Sequence, residues 1–230
     1  MTQPVIRGIS SMATRQVLAD LVAGFAQQSG MQAAIESVGG VDAAKRVAAG
    51  EAFDVVILAS DAIDKLLAAG QLVPGSKVDW VHSGVAVAVP AGAPLPDLSS
   101  EDAVRQAVLA APSISLSTGP SGVALSKLFE RWGIAEQIAP RMVQAPPGVP
   151  VGSLVAKGEV ALGFQQLSEL LHVQGIQIVG PLPPAIQITT TFSAGVGVHS
   201  QQADAARALL AYLASPAAAD AKQKQGMTPA

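Results

Sequence analysis

Short apolar runs alternate with amphipathic stretches along the first part of the chain, and each run ends in small or turn-forming residues. "PVIRGI" reads as a strand and residues 12–28 as a helix, with Val17, Leu18, Leu21, Val22 and Phe25 at helical spacing. "AAIESV" reads as a second strand, 42–49 as a short helix, "FDVVILAS" as a third strand and 61–69 as another short helix. Gly30, Gly50 and Gly70 each stand just past a helical run, where a left-handed closing residue is wanted. Strand–helix–strand alternation of this kind predicts a mostly parallel sheet flanked by helices on both faces.

From His82 the pattern changes. "SGVAVAVPAG" is a longer strand, followed by a Pro-rich turn and a helix over 101–109. The alternation then restarts with "SISLS" as strand, 123–132 as helix, "EVALGFQ" as strand, a helix around 167–172 and "IQIVG" as strand. The late strand "IQITTTFSAGVGVHS" is again long, and helices over 203–213 and 216–224 close the chain. Two long strands bracketing a self-contained α/β middle predict two lobes joined by two hinge crossings. Lobe I would hold 1–83 plus 192–230, and lobe II 84–191. Ligands of open α/β sheets bind beyond the C-terminal strand ends, so the expected ligand cleft lies between the lobes.

Composition narrows the function classes. Hydrophobic residues make up 50% of the chain, aromatics 3% and charged residues 13%, so the core must be built from Ala, Val, Leu and Ile. Net charge is −3 without a basic cluster, which excludes a nucleic-acid face. The richest apolar stretch is broken by Pro90 and Pro94, well short of the roughly 20 residues a membrane span needs. Cysteine is absent, so there is no disulfide and no thiolate chemistry. No HExxH and no histidine cluster supports a metal, and nothing calls for a cofactor. A Gly-x-Ser-x-Gly elbow is also missing, which argues against a serine hydrolase. The start at Met1 carries no basic or apolar leader region. The expectation is a cytoplasmic protein if Met1 is native, a periplasmic one if a signal was removed, and a monomer in either case.

Candidate chemistry gathers at three strand-to-helix junctions. The first is Ser10, Ser11 and Met12; the second is Gly39, Gly40 and Val41; the third is "STGPSG", with Ser117, Thr118, Gly119, Ser121 and Gly122. Ser60 follows the third strand in the same way, and Gln165 and Gln166 end a later one. Each junction places small or hydroxyl residues at a helix start, where main-chain N–H groups lack partners and the helix end carries roughly half a positive charge. Such ends bind anions without Lys or Arg. Ser and Gly are also ordinary capping residues, so one junction alone carries little weight. "STGPSG" lacks the Gly-Lys-Ser/Thr ending of a phosphate-binding loop.

"SSMATRQVLADL", "VGGVDAAKRVAAGEAFDVVILASDAIDKLLAAGQLV", "STGPSGVALSKLFERWGI", "GEVALGFQQLSEL" and "SPAAADAKQKQGM" resemble the periplasmic molybdate-binding proteins, type II binding proteins of ABC importers. The resemblance implies a two-lobed type II binding fold, an ABC permease as partner, and an oxyanion held by hydroxyls and main-chain N–H groups. The family's first hydroxyl falls on Ser10 or Ser11. Its serine-rich second junction is replaced by Gly39-Gly40-Val41, and Gln166 stands where many members have tyrosine. The opening "GISSMATRQVL" is similar to the aconitate isomerase branch, which implies a tricarboxylate. The expected ligand is a small anion, a polycarboxylate or a tetrahedral oxyanion. The alternatives are an isomerase working on a tricarboxylate and a molybdate or tungstate receptor. Bare Gly-Gly N–H groups and the Gln165 and Gln166 amides fit carboxylates and hydroxyls. An isomerase needs a base; the candidates are Glu36, Asp42, Asp61, Glu169, His82, His172 and His199. Arg15 and Arg46 are placed to pair a carboxylate, and Thr189, Thr190 and Thr191 to line the cleft.

Overall fold

The computed structural model describes residues 5–146 and 148–230. Met1 and Pro4, the latter opening the first predicted strand, lie outside the described residues. In chain order the elements are β1 (Ile6–Ser11), α1 (Arg15–Ser29), β2 (Ala33–Val38), α2 (Gly40–Ala48), β3 (Val55–Ala59) and α3 (Ser60–Ala68). Then follow β4 (Val78–Pro90), α4 (Glu101–Ala110), β5 (Ile114–Leu116), α5 (Pro120–Arg131), α6 (Ala135–Ile138), α7 (Val151–Ala156), β6 (Leu162–Gln166) and α8 (Leu167–Leu170). The chain ends with β7 (Ile176–Pro181), β8 (Thr189–Val196), α9 (Ala203–Ala214), α10 (Ala219–Lys224) and β9 (Met227–Pro229).

By its contacts the chain divides into two compact units, Met1–Ser83 with Thr190–Ala230, and Gly84–Thr189. In the first unit β1 pairs in parallel with both β2 and β3, while β8 joins β3 antiparallel. Strand β3 is buried along its whole length, as a strand covered on both faces must be. Its alternate residues serve two cores. Val55, Ile57 and Ala59 pack with Val17, Leu21 and Phe25 of α1 and Leu209 and Leu213 of α9. Val56 and Leu58 pack with Ala43 and Val47 of α2 and Ile63 and Leu66 of α3. Each such Leu or Ile contributes about 1.5–3 kcal/mol on full burial. Gly30, Gly50 and Gly70 take φ of 73°, 87° and 70° and end α1, α2 and α3 in the left-handed conformation.

In the second unit β6 lies between β5, parallel to it, and the latter half of β4, antiparallel to it; β7 pairs the other side of β4. Val85, Val87, Ile114, Leu116, Leu162 and Phe164 face Val104 and Val108 of α4 and Leu125 and Phe129 of α5. Thus parallel pairing holds among β1, β2 and β3 and between β5 and β6, while the long strands bring antiparallel ladders. The sheets are mixed rather than mostly parallel, because β8 runs antiparallel to β3, and β4 antiparallel to β6, β7 and β9.

Elsewhere the pattern and the structure differ in length. A tight 3-10 turn, Met12–Thr14, precedes α1, so the α-helix begins at Arg15 rather than at 12. Strand β8 stops short of the predicted 186–200 because Pro184–Ile186 form a 3-10 turn before it and Ser200 N–H closes a turn on the Gly197 carbonyl after it. Helix α7 has no polar face to reveal it: Val151, Leu154 and Val155 are all buried.

Lys222 of α10 is 1% exposed and donates to the Trp80 carbonyl at 2.7 Å, with its ammonium 5.7 Å from the Trp80 ring centroid. Burial pushes its pKa below the usual 10.5. The unfolded chain therefore binds this proton more tightly, and stability must rise as pH climbs towards 10.5. Urea unfolding across alkaline pH is expected to show that rise in the unaltered protein relative to Lys222→Met, which lacks the titrating group.

Candidate functional site

The junctions singled out from the sequence fall at the C-terminal ends of parallel strands, one set in each unit. In the first unit, Ser11 ends β1 and its register partner Val38 ends β2, so the Met12 turn and the start of α2 lie side by side. A Cβ placed on Gly40 would sit 3.6 Å from Ser11 Cβ. The Ser11 hydroxyl accepts from the Ala13 N–H at 3.2 Å and so caps the 3-10 turn. The first intrahelical bond of α2 runs from Ala43 N–H to the Gly39 carbonyl at 2.9 Å. The N–H groups of Gly40 and Val41 come before it. Val41 is exposed, and Ser60 opens α3 directly after β3.

The two adjacent serines of β1 have separate surroundings. Ser11 shares a strand face with Ile9, which packs towards α2 and α3; Ser10 shares one with Ile6, beneath α1. Ser10 is completely buried, and its hydroxyl is 2.7 Å from that of Ser37, its register partner on β2. Ser37 in turn lines a groove of about 490 Å³ between α1 and β2, together with Arg15, Gln16, Ala19, Val22 and Ile35. This groove runs along the sheet edge and not over the strand-end turns. Sequence reading missed Ser37, because alternation gives its strand face but not its register against Ser10.

In the second unit β5 ends at Leu116 beside Phe164 of β6. The Ser117 and Ser121 hydroxyls are 2.8 Å apart across the turn that starts α5. Gly122 and Val123 N–H both turn to the Gly119 carbonyl, at 3.0 and 3.2 Å. That leaves the Ser121 N–H ahead of the ladder, and Pro120 at the first helical position has no N–H to satisfy. Thr118 is exposed, and no acidic residue occupies the first turn of α5. By contrast, Asp42 and Asp61 stand in the first turns of α2 and α3.

Gln165 and Gln166 end β6, both buried. The Gln165 side-chain oxygen Oε1 accepts from the Gly152 N–H at 2.9 Å, tying down the start of α7, and the same side chain shares a hydrogen bond with the Glu169 carboxyl. Burial pushes the Glu169 pKa up to about 7, against the lowering effect of Gln165.

The other charged candidates are mostly engaged. Arg46 is not available for a ligand: it grips Glu36 at 2.6 and 3.0 Å and Glu51 at 2.6 and 2.7 Å. The same contacts hold the Glu36 carboxyl below its usual range, so it is unsuited to act as a base near neutrality. Asp42 and Asp61 are exposed, and Asp61 lies 3.7 Å from Lys65. His172 and His199 are on the surface. The Nδ1 of half-buried His82 is 3.0 Å from the Thr191 hydroxyl, within the first unit. Thr190 is buried and Thr189 exposed. Arg15 has no ion-pair partner among the described residues. Nor do those residues include a cluster of three metal-ligating side chains, or a helix long and apolar enough to cross a membrane.

A family model for bacterial extracellular solute-binding proteins matches residues 6–228. Aconitate isomerase from a Pseudomonas species is 45% identical over 185 residues, which is 80% of this chain and 70% of that protein. The periplasmic molybdate-binding protein of Azotobacter vinelandii superposes with a TM-score of 0.80 at 21% identity, over 97% of this chain and 98% of that one. The sulfate-binding protein SubI of Mycobacterium tuberculosis H37Rv gives 0.80 at 17% identity, over 99% and 87%. At such identities the two structures speak for the fold, which is that of the type II binding proteins.

The α5 turn also carries the strictest steric constraint of the site. A Cβ on Gly122 would lie 1.7 Å from the Ser117 carbonyl oxygen, so no side chain fits unless the turn opens. Gly122→Ala is expected to cost about 3 kcal/mol in urea unfolding, the scale of severe overpacking. It should also displace the Ser117 and Ser121 hydroxyls from each other.

Proposed function

The chain belongs to the bacterial extracellular solute-binding protein family, and we propose that it binds a small polycarboxylate of the aconitate type and interconverts its cis and trans isomers. The observation that carries this reading is the 45% identity to an aconitate isomerase along 80% of the chain. The local chemistry supports it. Each unit offers a turn with a hydroxyl and main-chain donors: Ser11 with the Gly40 and Val41 N–H groups, and Ser121 with its own N–H beside Ser117. A carboxylate accepts from such donors through two oxygens, and charge-assisted bonds of this kind are the strong ones. Ser10 and Gln165 serve these turns from behind, since both side chains are buried and engaged. Met12 and Gly39 extend the first unit's turn, where Arg15 adds a cation, and Thr118, Gly119 and Gln166 extend the second unit's.

The reaction is a shift of one proton along a three-carbon unit. A methylene C–H bond next to a carboxylate breaks, and its electron pair becomes the new C=C. The former C=C pair forms a C–H bond at the far carbon. No redox partner is needed, so a fold that binds carboxylates requires only one well-placed acid–base group to perform it.

A second reading rests on the likeness to the molybdate- and sulfate-binding structures. The chain would then be an oxyanion receptor that hands its cargo to an ABC permease. Calorimetric titration with cis- and trans-aconitate, citrate, molybdate and sulfate separates the two. The proposal expects binding of the tricarboxylates and a fall of roughly tenfold or more in affinity for Ser11→Ala and for Ser121→Ala, the size of one hydrogen bond to a charged group. Binding of molybdate or sulfate alone would replace it with the receptor reading.

A further inference from the structure

We propose that Glu169 is the catalytic acid–base group of this isomerisation, with Gln165 as the residue that positions its carboxyl; the assignment rests on the reading just given. Strands β5 and β6 run parallel with Leu116 beside Phe164, so the helices that follow them start at the same edge of the sheet. Helix α5 brings Ser121 there, and α8 brings Glu169 three residues after Gln166. The Gln165 side chain reaches both ways: its Oε1 accepts from the Gly152 N–H of α7, which leaves its NH₂ to donate to Glu169. The amide is thereby fixed at one end and orients the carboxyl at the other.

The elements packed around α8, the helix that carries Glu169, are apolar. Leu170 of α8 packs with Ala86 and Ala88 of β4 and beside Ile176 and Ile178 of β7, and Gly152 of α7 approaches Leu170 and Val173. Strand β6, helix α7, strand β7 and the 84–90 stretch of β4 contain no titratable residue at all. The next titratable groups along the chain are His172, which is exposed, and Glu159 before β6. A carboxyl desolvated without a counter-charge holds its proton more tightly, which agrees with a value of about 7. At neutral pH such a group is ready both to accept a proton and to return one.

In the proposed step the Glu169 carboxylate takes the proton from the ligand's methylene carbon, the double bond moves, and the same carboxyl protonates the far carbon. The negative charge spread over the ligand carboxylates in between is met by the helix-start N–H groups.

The test follows each aconitate isomer by proton NMR with the full chain, its Glu169→Gln and Gln165→Leu variants, and calorimetric titration of trans-aconitate alongside. Glu169→Gln is expected to bind with affinity within a few-fold of the unaltered protein, yet convert the isomers roughly a hundredfold more slowly or worse. For the unaltered protein kcat/KM should rise with pH about a midpoint near 7, because the ionised form is the base. Gln165→Leu removes a bond that favours ionisation, so it should move that midpoint upward, which loss of packing alone would not do. A smaller loss in Glu169→Gln overturns the assignment and leaves the isomerase reading standing. If Glu169→Gln does not fold, a flat profile across pH 7 in the unaltered protein overturns it instead. Failure of the unaltered protein to convert either isomer is the separate failure of the reaction itself.

Discussion

A helix that starts where a parallel strand ends begins with N–H groups that no carbonyl of its own can reach. In a covered sheet those groups must be met by capping side chains, water or a ligand. Here the caps are sparse: neither α2 nor α5 has a side-chain cap, and both open after glycine. Gly39 and Gly119 supply a carbonyl to the next turn but nothing to the first N–H groups. The same glycines let a ligand approach the main chain closely, so one constraint accounts for the composition of the turns and for the anion binding proposed for them.

Charge bears differently on the two proposed seats: Asp42 stands in the first turn of α2, whereas the first turn of α5 has no acid. With 13% charged residues the chain uses few ions, and several are paired off on the surface. Arg46 clasps Glu36 and Glu51, Arg131 holds Glu101, and Arg141 donates to the carbonyls of Leu109 and Ala111. Glu169, in the first turn of the helix that follows the neighbouring strand β6, is a carboxyl whose negative form is disfavoured by burial. A carboxyl that is only partly ionised at neutral pH repels an anion less than a fully ionised one, which suits the proposed role of this edge.

Much of the secondary structure could be read from the chain because periodicity reports it directly. The alternation in β3 and the stripe of α1 are strong signals, as are Gly30, Gly50 and Gly70 at the helix ends. What could not be read depends on register and on neighbours. Nothing in "GISSMA" says that Ser10 turns under α1 to meet Ser37 while Ser11 turns towards α2. Arg46 looked ready for a ligand, yet it is spent on Glu36 because a parallel register brings β2 beside the α2 face. Glu169 carried a legible hint, being the lone charge in the stretch 160–171. Its tie to Gln165, and through it to α7, needed three dimensions. Helices α6 and α7 escaped notice because each is only a turn or so long and apolar where it is buried.

The claim on which the account turns is that main-chain donors at the strand ends hold the ligand. An amide-shift titration of ¹⁵N-labelled protein with trans-aconitate addresses those donors one by one. The account predicts that the amides of Met12, Gly40 and Val41 in the first unit and of Ser121 in the second shift most. Shifts confined to Arg15, Gln16, Ala19, Val22, Ile35 and Ser37 would place the anion in the groove between α1 and β2, and would contradict it.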